Sequence, residues 1–356
     1  MDVTLKSFTD SGCAAYLVGC ARTGEALLVD PKAGKSSTYR GAAASLGLKI
    51  VAVFDTHTHA DHLSGSSSFA KEGIPVWMGA RTQCARPHRR LADGEEARVG
   101  ELKLTALEVP GHTDDSLALA GHGLVLTGDS LLVGGLGRAD FRGSDPARLF
   151  ESVRDRLMSL PDATVVLPGH NYNDILFTTV GHERKNNPAL GFENGAAYAR
   201  SLRAVEGAGN SPQVDATLAA NLEADPELPE APAVVAACCS AGGSAVDLGA
   251  RPAERTVEEV APRREAITAE RRWYDVREPF EFREGHIPGT VNRPLAALGF
   301  HLDELRRDGP VVLSCRSGVR SMTAAKTLAY LGVLGQPVNL AGGFLRWQEL
   351  GLPVEH

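Results

Sequence analysis

The stretch Ile50-Val51-Ala52-Val53-Phe54-Asp55-Thr56-His57-Thr58-His59-Ala60-Asp61-His62 decides how most of the chain is read. Its first five residues are an uninterrupted apolar run, the pattern of a fully buried strand. Three imidazoles and a carboxylate then follow within six residues, on the loop that leaves the strand. Such groups are costly to bury unless something pairs with them, and a metal cation suits this donor set. A solvated loop at a sheet edge would draw instead on Gly, Asn, Asp and Ser.

Three later apolar runs end in the same way. Leu102 to Val109 leads into Pro110-Gly111-His112, Leu124-Val125-Leu126 into Thr127-Gly128-Asp129, and Thr164 to Leu167 into Pro168-Gly169-His170. Each run delivers one metal-competent side chain directly after a glycine, the residue that lets backbone turn sharply and approach a buried ion.

On these residues the sequence resembles the metallo-β-lactamase-fold hydrolases and oxidoreductases. Their His-X-His-X-Asp-His signature stands here as His57, His59, Asp61 and His62, and their later ligand positions match His112, Asp129 and His170. The resemblance runs from the N-terminus to about Ala231. It implies an αββα sandwich, two β-sheets flanked by helices, with metal at one edge.

At 356 residues the chain is too long for one ordinary domain. The formal charge of −7 gives no basic footprint, which argues against nucleic-acid and anionic-membrane partners. No run reaches the length of a membrane span and no signal-peptide pattern opens the chain, so a cytoplasmic location is expected. The six cysteines show no regular spacing and read as thiols; Cys13, Cys20 and Cys84 read as small packed residues.

In chain order, residues 3 to 30 alternate as the opening strands of a sheet, and residues 36 to 47 and Ser66 to Glu72 carry helical patterns. The loop after Asp129 contains Gly137-Arg138-Ala139-Asp140-Phe141, which looks like the Gly-Arg-Thr-Asp-Phe segment of persulfide dioxygenases with alanine in place of threonine. In glutathione-thioester hydrolases of the superfamily, Tyr, Arg and Lys side chains hold glutathione. The resemblance extends that role to Tyr172, Arg184 and Lys185, and Arg138 is a fourth candidate. Cations suit a substrate with two carboxylates, although an exposed basic turn would read identically. The segment from Ser211 to Leu222 also looks like the end of persulfide dioxygenases.

The expected domains are 1–230, a linker over 231–270 whose composition shifts to Ala, Gly, Pro, Arg and Glu, and a second domain over 271–356. Cys238 and Cys239 lie in the linker and stay unassigned, with packing preferred to a sulfur relay. In the second domain the apolar run Val311-Val312-Leu313-Ser314 leads into Cys315-Arg316-Ser317-Gly318-Val319-Arg320 and a helix. A thiol at the end of a strand, in a tight loop opening a helix, is met by inward N–H groups and the helix dipole, which stabilise a thiolate or persulfide. This part resembles the rhodanese sulfurtransferases, through Asp275-Val276-Arg277-Glu278, Gly285-His286-Ile287-Pro288-Gly289 and Leu340-Ala341-Gly342-Gly343-Phe344. The resemblance implies an α/β domain with a central, mainly parallel sheet, Cys315 as catalytic sulfur acceptor and structural roles for Asp275 and Arg277.

Together the resemblances imply a persulfide dioxygenase fused to a rhodanese. Glutathione persulfide would be oxidised by dioxygen to sulfite and glutathione at one Fe(II) per chain, bound by His57, His112 and Asp129. His59, Asp61, His62 and His170 would surround that site and hydrogen-bond to the ligands. The rhodanese would move sulfur among thiosulfate, sulfite and glutathione persulfide, in a direction the sequence leaves open. The competing expectation is a glutathione-thioester hydrolase that uses all seven ligand positions to hold two metals. The expected partners are small molecules, and oligomeric state stays open, a homo-oligomer included.

Overall fold

The computed structural model describes residues 3–85, 87–141, 143–202, 212–223, 252–270 and 272–356. It divides into two compact units: Met1–Tyr172 with Thr179–Ser244, and Asn173–Thr178 with Ala245–His356. Cys238, Cys239 and residues 231–251 of the expected linker lie outside the described residues. Among the described residues, no helix is long and apolar enough to cross a membrane.

The first unit is built on two six-stranded sheets. One is ordered as in the chain: β1 (Val3–Asp10), β2 (Cys13–Cys20), β3 (Glu25–Val29), β4 (Lys49–Phe54), β5 (Val76–Gly79) and β6 (Arg89–Leu91). β1 to β3 pair antiparallel, and from β3 onward the pairing is parallel. That change explains the two burial patterns. β1 is half-buried along most of its length, whereas the last five residues of β4 form the near-continuous apolar run of a central parallel strand.

The other sheet runs β14-β13-β10-β9-β8-β7, from β7 (Glu96–Val99), β8 (Leu102–Glu108), β9 (Leu117–Gly121) and β10 (Leu124–Gly128) to β13 (Val165–Pro168) and β14 (Thr178–Thr179). A short hairpin, β11 (Leu131–Leu132) with β12 (Gly135–Leu136), follows β10. Leu17, Leu28, Val53 and Phe69 lie in one buried cluster, which takes in Tyr39 and Ala43 from the helix Ser36–Ser45. Val125, Val166, Leu149 and Phe150 lie in another, with the helix Pro146–Ser152. Each sheet thus buries its own helix-covered face. Full burial of such side chains contributes roughly 1.5–3 kcal/mol each, so the sheets are rigid supports for the loops at their ends.

The second unit holds an all-parallel five-stranded sheet ordered β15-β19-β18-β16-β17. Its strands are β15 (Ala253–Thr256), β16 (Trp273–Asp275), β17 (Val291–Asn292), β18 (Arg307–Ser314) and β19 (Leu334–Ala341). The unit begins earlier than its composition suggests, because β15 and the helices Val257–Val260 and Arg264–Ala269 come from the expected linker. β15 reads Ala-Glu-Arg-Thr and is an edge strand with three exposed residues, so it lacks the apolar alternation by which a strand is recognised. The helix after it did carry a signal. Thr256 and Glu259 form a reciprocal capping box, the Ser/Thr-x-x-Glu pattern of a helix start.

Candidate metal centre and sulfur-transfer loop

The loop after β4 places His57 where its tautomer is fixed by a chain of hydrogen bonds. Thr56 donates its backbone N–H and its hydroxyl to the buried Asp30 carboxylate, at 2.7 and 2.9 Å. With its proton committed there, the Thr56 oxygen accepts from His57 Nδ1 at 2.8 Å. The lone pair therefore sits on His57 Nε2, a buried atom with no hydrogen-bond partner. His112 is set up in the same way: its Nδ1 donates to the Arg138 carbonyl at 2.8 Å, and its Nε2 lies 3.6 Å from Asp129 Oδ2.

One ligand atom from each of His57, His112 and Asp129 falls within 4.8 Å of the others, and all three residues are buried. Two bare imidazole nitrogens and a carboxylate oxygen fit a divalent transition metal such as iron. The approach depends on glycine. Gly128 has φ +50°, and a Cβ on Gly169 would collide with the Asp129 carboxylate.

Of the remaining positions, Asp61, His62 and His170 are linked by hydrogen bonds, while His62 Nε2 and both ring nitrogens of His59 are buried without a hydrogen-bond partner. His170 bridges two carboxylates, with Nδ1 2.7 Å from Asp129 Oδ1 and Nε2 3.1 Å from Asp61 Oδ2. Asp61 Oδ2 also meets His62 Nδ1 at 2.9 Å and accepts from the Cys13 thiol at 3.2 Å. His59 groups instead with Asp30 and Asp55, its Nε2 3.3 Å from Asp30 Oδ1.

The electrostatics divide along the same line. Burial, reinforced by the neighbouring His59, pushes His57 down to about 3, and burial with His62 pushes His59 down to about 4. Burial opposes charge on His62 and His170 as well. There the facing carboxylates win and both imidazoles are raised well above their ordinary value, Asp61 pairing with the first and Asp129 and Asp61 with the second. Burial would likewise raise Asp129, but His170, His112 and His57 hold it far below the usual carboxylate range.

Three contributors escaped the sequence reading. Cys13 was expected only to pack; instead β2 begins against the His170 loop, with Ala14 N donating to Gly169 O at 2.7 Å and Asn171 N to Gly12 O at 2.8 Å. This sets the half-buried thiol beside Asp61. Asn221, on the helix Pro212–Leu222, donates to the carbonyls of His59 and His62 at 2.9 and 2.8 Å and accepts from Ser64 N at 3.0 Å. Asp115 accepts from the hydroxyls of Thr58 and Thr113 at 2.6 and 2.7 Å. Only long-range pairing reveals such roles. Cys20 and Cys84 are buried, as expected.

The residues expected to hold substrate do not share one place. Tyr172 is exposed and stacks on His170 with ring centroids 5.1 Å apart. Arg138 lies over the Phe141 ring, which packs edge-on to His112, and its Nε donates to Asp140 at 2.7 Å. Arg184 is directed elsewhere, to the carbonyls of Met158 and Leu160 and the Asp162 carboxylate. Lys185 is exposed.

In the second unit β18 delivers the buried Cys315 to a loop that ends in the helix Val319–Tyr330, entered through Gly318 at φ +97°. Gly318 N donates to Cys315 Sγ at 3.2 Å, and Ser321 Oγ lies 3.4 Å from it. The loop is braced from outside. Arg320 forms a two-pronged ion pair with Glu281, both contacts 2.7 Å, while Arg316, Ser317 and Val319 are exposed. Arg277 pairs with Asp275 at 2.7 Å in a buried contact and donates to the carbonyls of Gly285 and Glu281, which ties the turn after β16 to the glycine turn. His286 stacks on Phe282 and belongs to that turn.

Family models match both units: the metallo-beta-lactamase superfamily over residues 8–170 and the rhodanese-like domain over residues 256–350. Human mitochondrial persulfide dioxygenase ETHE1 is 32% identical over 179 residues, which cover 49% of this chain and 70% of that protein. A hydroxyacylglutathione hydrolase of Anaeromyxobacter dehalogenans is 35% identical over 251 residues, covering 68% and 92% respectively. Among solved structures, ETHE1 from Myxococcus xanthus superposes with a TM-score of 0.59 at 32% identity, over 61% of this chain and 97% of its own. The chain belongs to the metallo-β-lactamase superfamily, as a homologue of the ETHE1 persulfide dioxygenases that carries a rhodanese domain at its C-terminal side.

Proposed function

We propose that the first unit oxidises glutathione persulfide with dioxygen, and that the second moves sulfane sulfur among thiosulfate, sulfite and glutathione persulfide through Cys315. The overall oxidation balances as glutathione persulfide, dioxygen and water giving glutathione, sulfite and two protons. The reading is carried by one observation: His57 Nε2 and Asp129 Oδ2 share a site with His112, while Asp61, His62 and His170 are hydrogen-bonded among themselves and to Asp129. An Fe(II) held by His57, His112 and Asp129 would supply three open positions at which a sulfur substrate and dioxygen can meet.

The chain's own groups do the rest. Thr56 and the Arg138 carbonyl fix the two imidazole tautomers, and His170 holds one Asp129 oxygen so that the other faces the site. Arg138 and Tyr172, which border His112 and His170, are assigned to the glutathione portion, with Lys185 as an outer cation. Arg184, spent on carbonyls, is not. In the second unit the Cys315 thiolate attacks a sulfane sulfur, and Gly318 N–H faces the charge on Cys315 Sγ.

The hydrolase reading keeps specific support, since the Anaeromyxobacter relative matches over 92% of its length and all seven ligand positions are filled. Metal analysis combined with an oxygen electrode separates the two. One iron per chain and oxygen uptake with glutathione persulfide is the expected result; two metals, thioester hydrolysis and no oxygen uptake would overturn it.

A further inference from the structure

Ser321 has one hydroxyl proton and three acceptors within reach: Asn339 Oδ1 at 2.6 Å, Gly318 O at 3.2 Å and Cys315 Sγ at 3.4 Å. The shortest contact takes the proton, so the Ser321 oxygen presents its lone pairs to the Cys315 thiol. Asn339 can receive that proton only while its amide oxygen faces Ser321. Its orientation is fixed at the far end, where Asn339 Nδ2 donates to Glu254 Oε2 at 3.0 Å, and a carboxylate can only accept. Ser321 and Asn339 are buried, which keeps water from competing at the sulfur end. Glu254 is exposed on β15, at the wall of a cavity of about 360 Å³ that Ser317, Gly318 and Asn339 also line.

We propose that Glu254 and Asn339 are positioning residues for sulfur transfer, holding the Ser321 proton away from Cys315 while its sulfur is a thiol and releasing it once the sulfur is anionic. This rests on Cys315 being the sulfur acceptor. With thiosulfate as donor the thiol proton goes to solvent and the thiolate attacks the outer sulfur. One S–S bond forms as the S–S bond of thiosulfate breaks, and sulfite leaves with the electron pair. An anionic sulfur is a stronger acceptor than an amide oxygen, so the Ser321 hydroxyl turns toward it.

The test is the pH dependence of Cys315 alkylation by iodoacetamide in the full-length holoprotein, followed by mass spectrometry of the Cys315 peptide, beside sulfur transfer from thiosulfate. Ser321→Ala removes the donor and is expected to move the half-maximal pH up by about 0.4 to 1 unit, the size of one hydrogen bond. Asn339→Ala frees the Ser321 proton and should move it down by a similar amount. The swap Glu254→Gln with Asn339→Asp still points an oxygen at Ser321 but brings a buried carboxylate to the sulfur end, so it should move the midpoint up, as Ser321→Ala does. Equal signs for the two alanine variants, or a swap that behaves like Asn339→Ala, would overturn the proposal. A Cys315→Ser protein that still transfers sulfur would instead overturn the reading of the site itself.

Discussion

The metal pocket and the sulfur loop hold reactive groups by opposite means. The pocket gathers His57, His112 and Asp129 from three loops far apart in the chain, and each is aimed by a hydrogen bond that leads to another segment: Thr56, itself held by Asp30, the Arg138 carbonyl, and His170. In the loop, backbone does much of the aiming, since Gly318 N–H meets Cys315 Sγ within one turn, with the Ser321 hydroxyl beside it and the Arg320–Glu281 ion pair bracing the outside. A site built from side chains can be changed one partner at a time. A site built from backbone fails chiefly when its one reactive atom is removed.

The largest expected effects test whether the two sites work separately. His57→Ala removes a proposed ligand whose Nε2 is buried without a hydrogen-bond partner. Bound metal and oxygen uptake should both fall below detection, while thiosulfate-linked sulfur transfer stays within about twofold. Cys315→Ser should give the reverse, because a serine hydroxyl stays protonated at neutral pH and is a poor sulfur acceptor. Loss of oxygen uptake in Cys315→Ser, with iron content and fold intact, would make the contrast between the sites false.

The same contrast explains how much could be read without coordinates. The loop was legible because strand, cysteine, glycine and helix are consecutive. The seven metal-competent positions were legible from their spacing and from the glycine before each later one. How those seven divide came from the family resemblance and not from their spacing, because the division follows from contacts such as His170 with both Asp129 and Asp61, residues 41 and 109 positions away. Cys13 was misjudged for a related reason: its place beside Asp61 depends on an isolated bridge between the start of β2 and His170. The start of the second unit was missed because β15 is polar and lies at an edge.

An intermediate effect is expected at Asn221, which touches no ligand side chain yet holds the His59 and His62 carbonyls and the Ser64 N–H. Asn221→Ala should weaken metal affinity by about 10- to 100-fold, the usual effect of removing a residue that orders a ligand loop. Asn221→Asp keeps the acceptor for Ser64 and loses both donors, so it should fall nearly as far. Competition with a chelator measures both, and unchanged affinity would show that the loop needs no anchor beyond β4.

The smallest effect is expected at Arg184, where the sequence and the geometry diverge. If the guanidinium held a glutathione carboxylate, Arg184→Ala would raise KM about tenfold or more, the loss of a charge-assisted hydrogen bond. Its Nη2 instead donates to Met158 O at 2.5 Å and Leu160 O at 3.0 Å, and its Nη1 pairs with Asp162. Its side chain is 41% exposed and that of Asp162 is 73% exposed, so the ion pair is screened and adds little. The carbonyl bonds leave Arg184 tying down the end of the helical segment Val153–Leu157 and the turn after it. Arg184→Ala should therefore lower stability by about 1 kcal/mol and leave KM within twofold, whereas Arg138→Ala, which removes the Asp140 hydrogen bond beside the His112 and Phe141 rings, should raise KM and also lower stability by about 1 kcal/mol. Parallel thermal melts and oxygen-uptake kinetics on the two variants decide the matter. A tenfold KM increase in Arg184→Ala alone would return that arginine to the substrate and remove Arg138 from it.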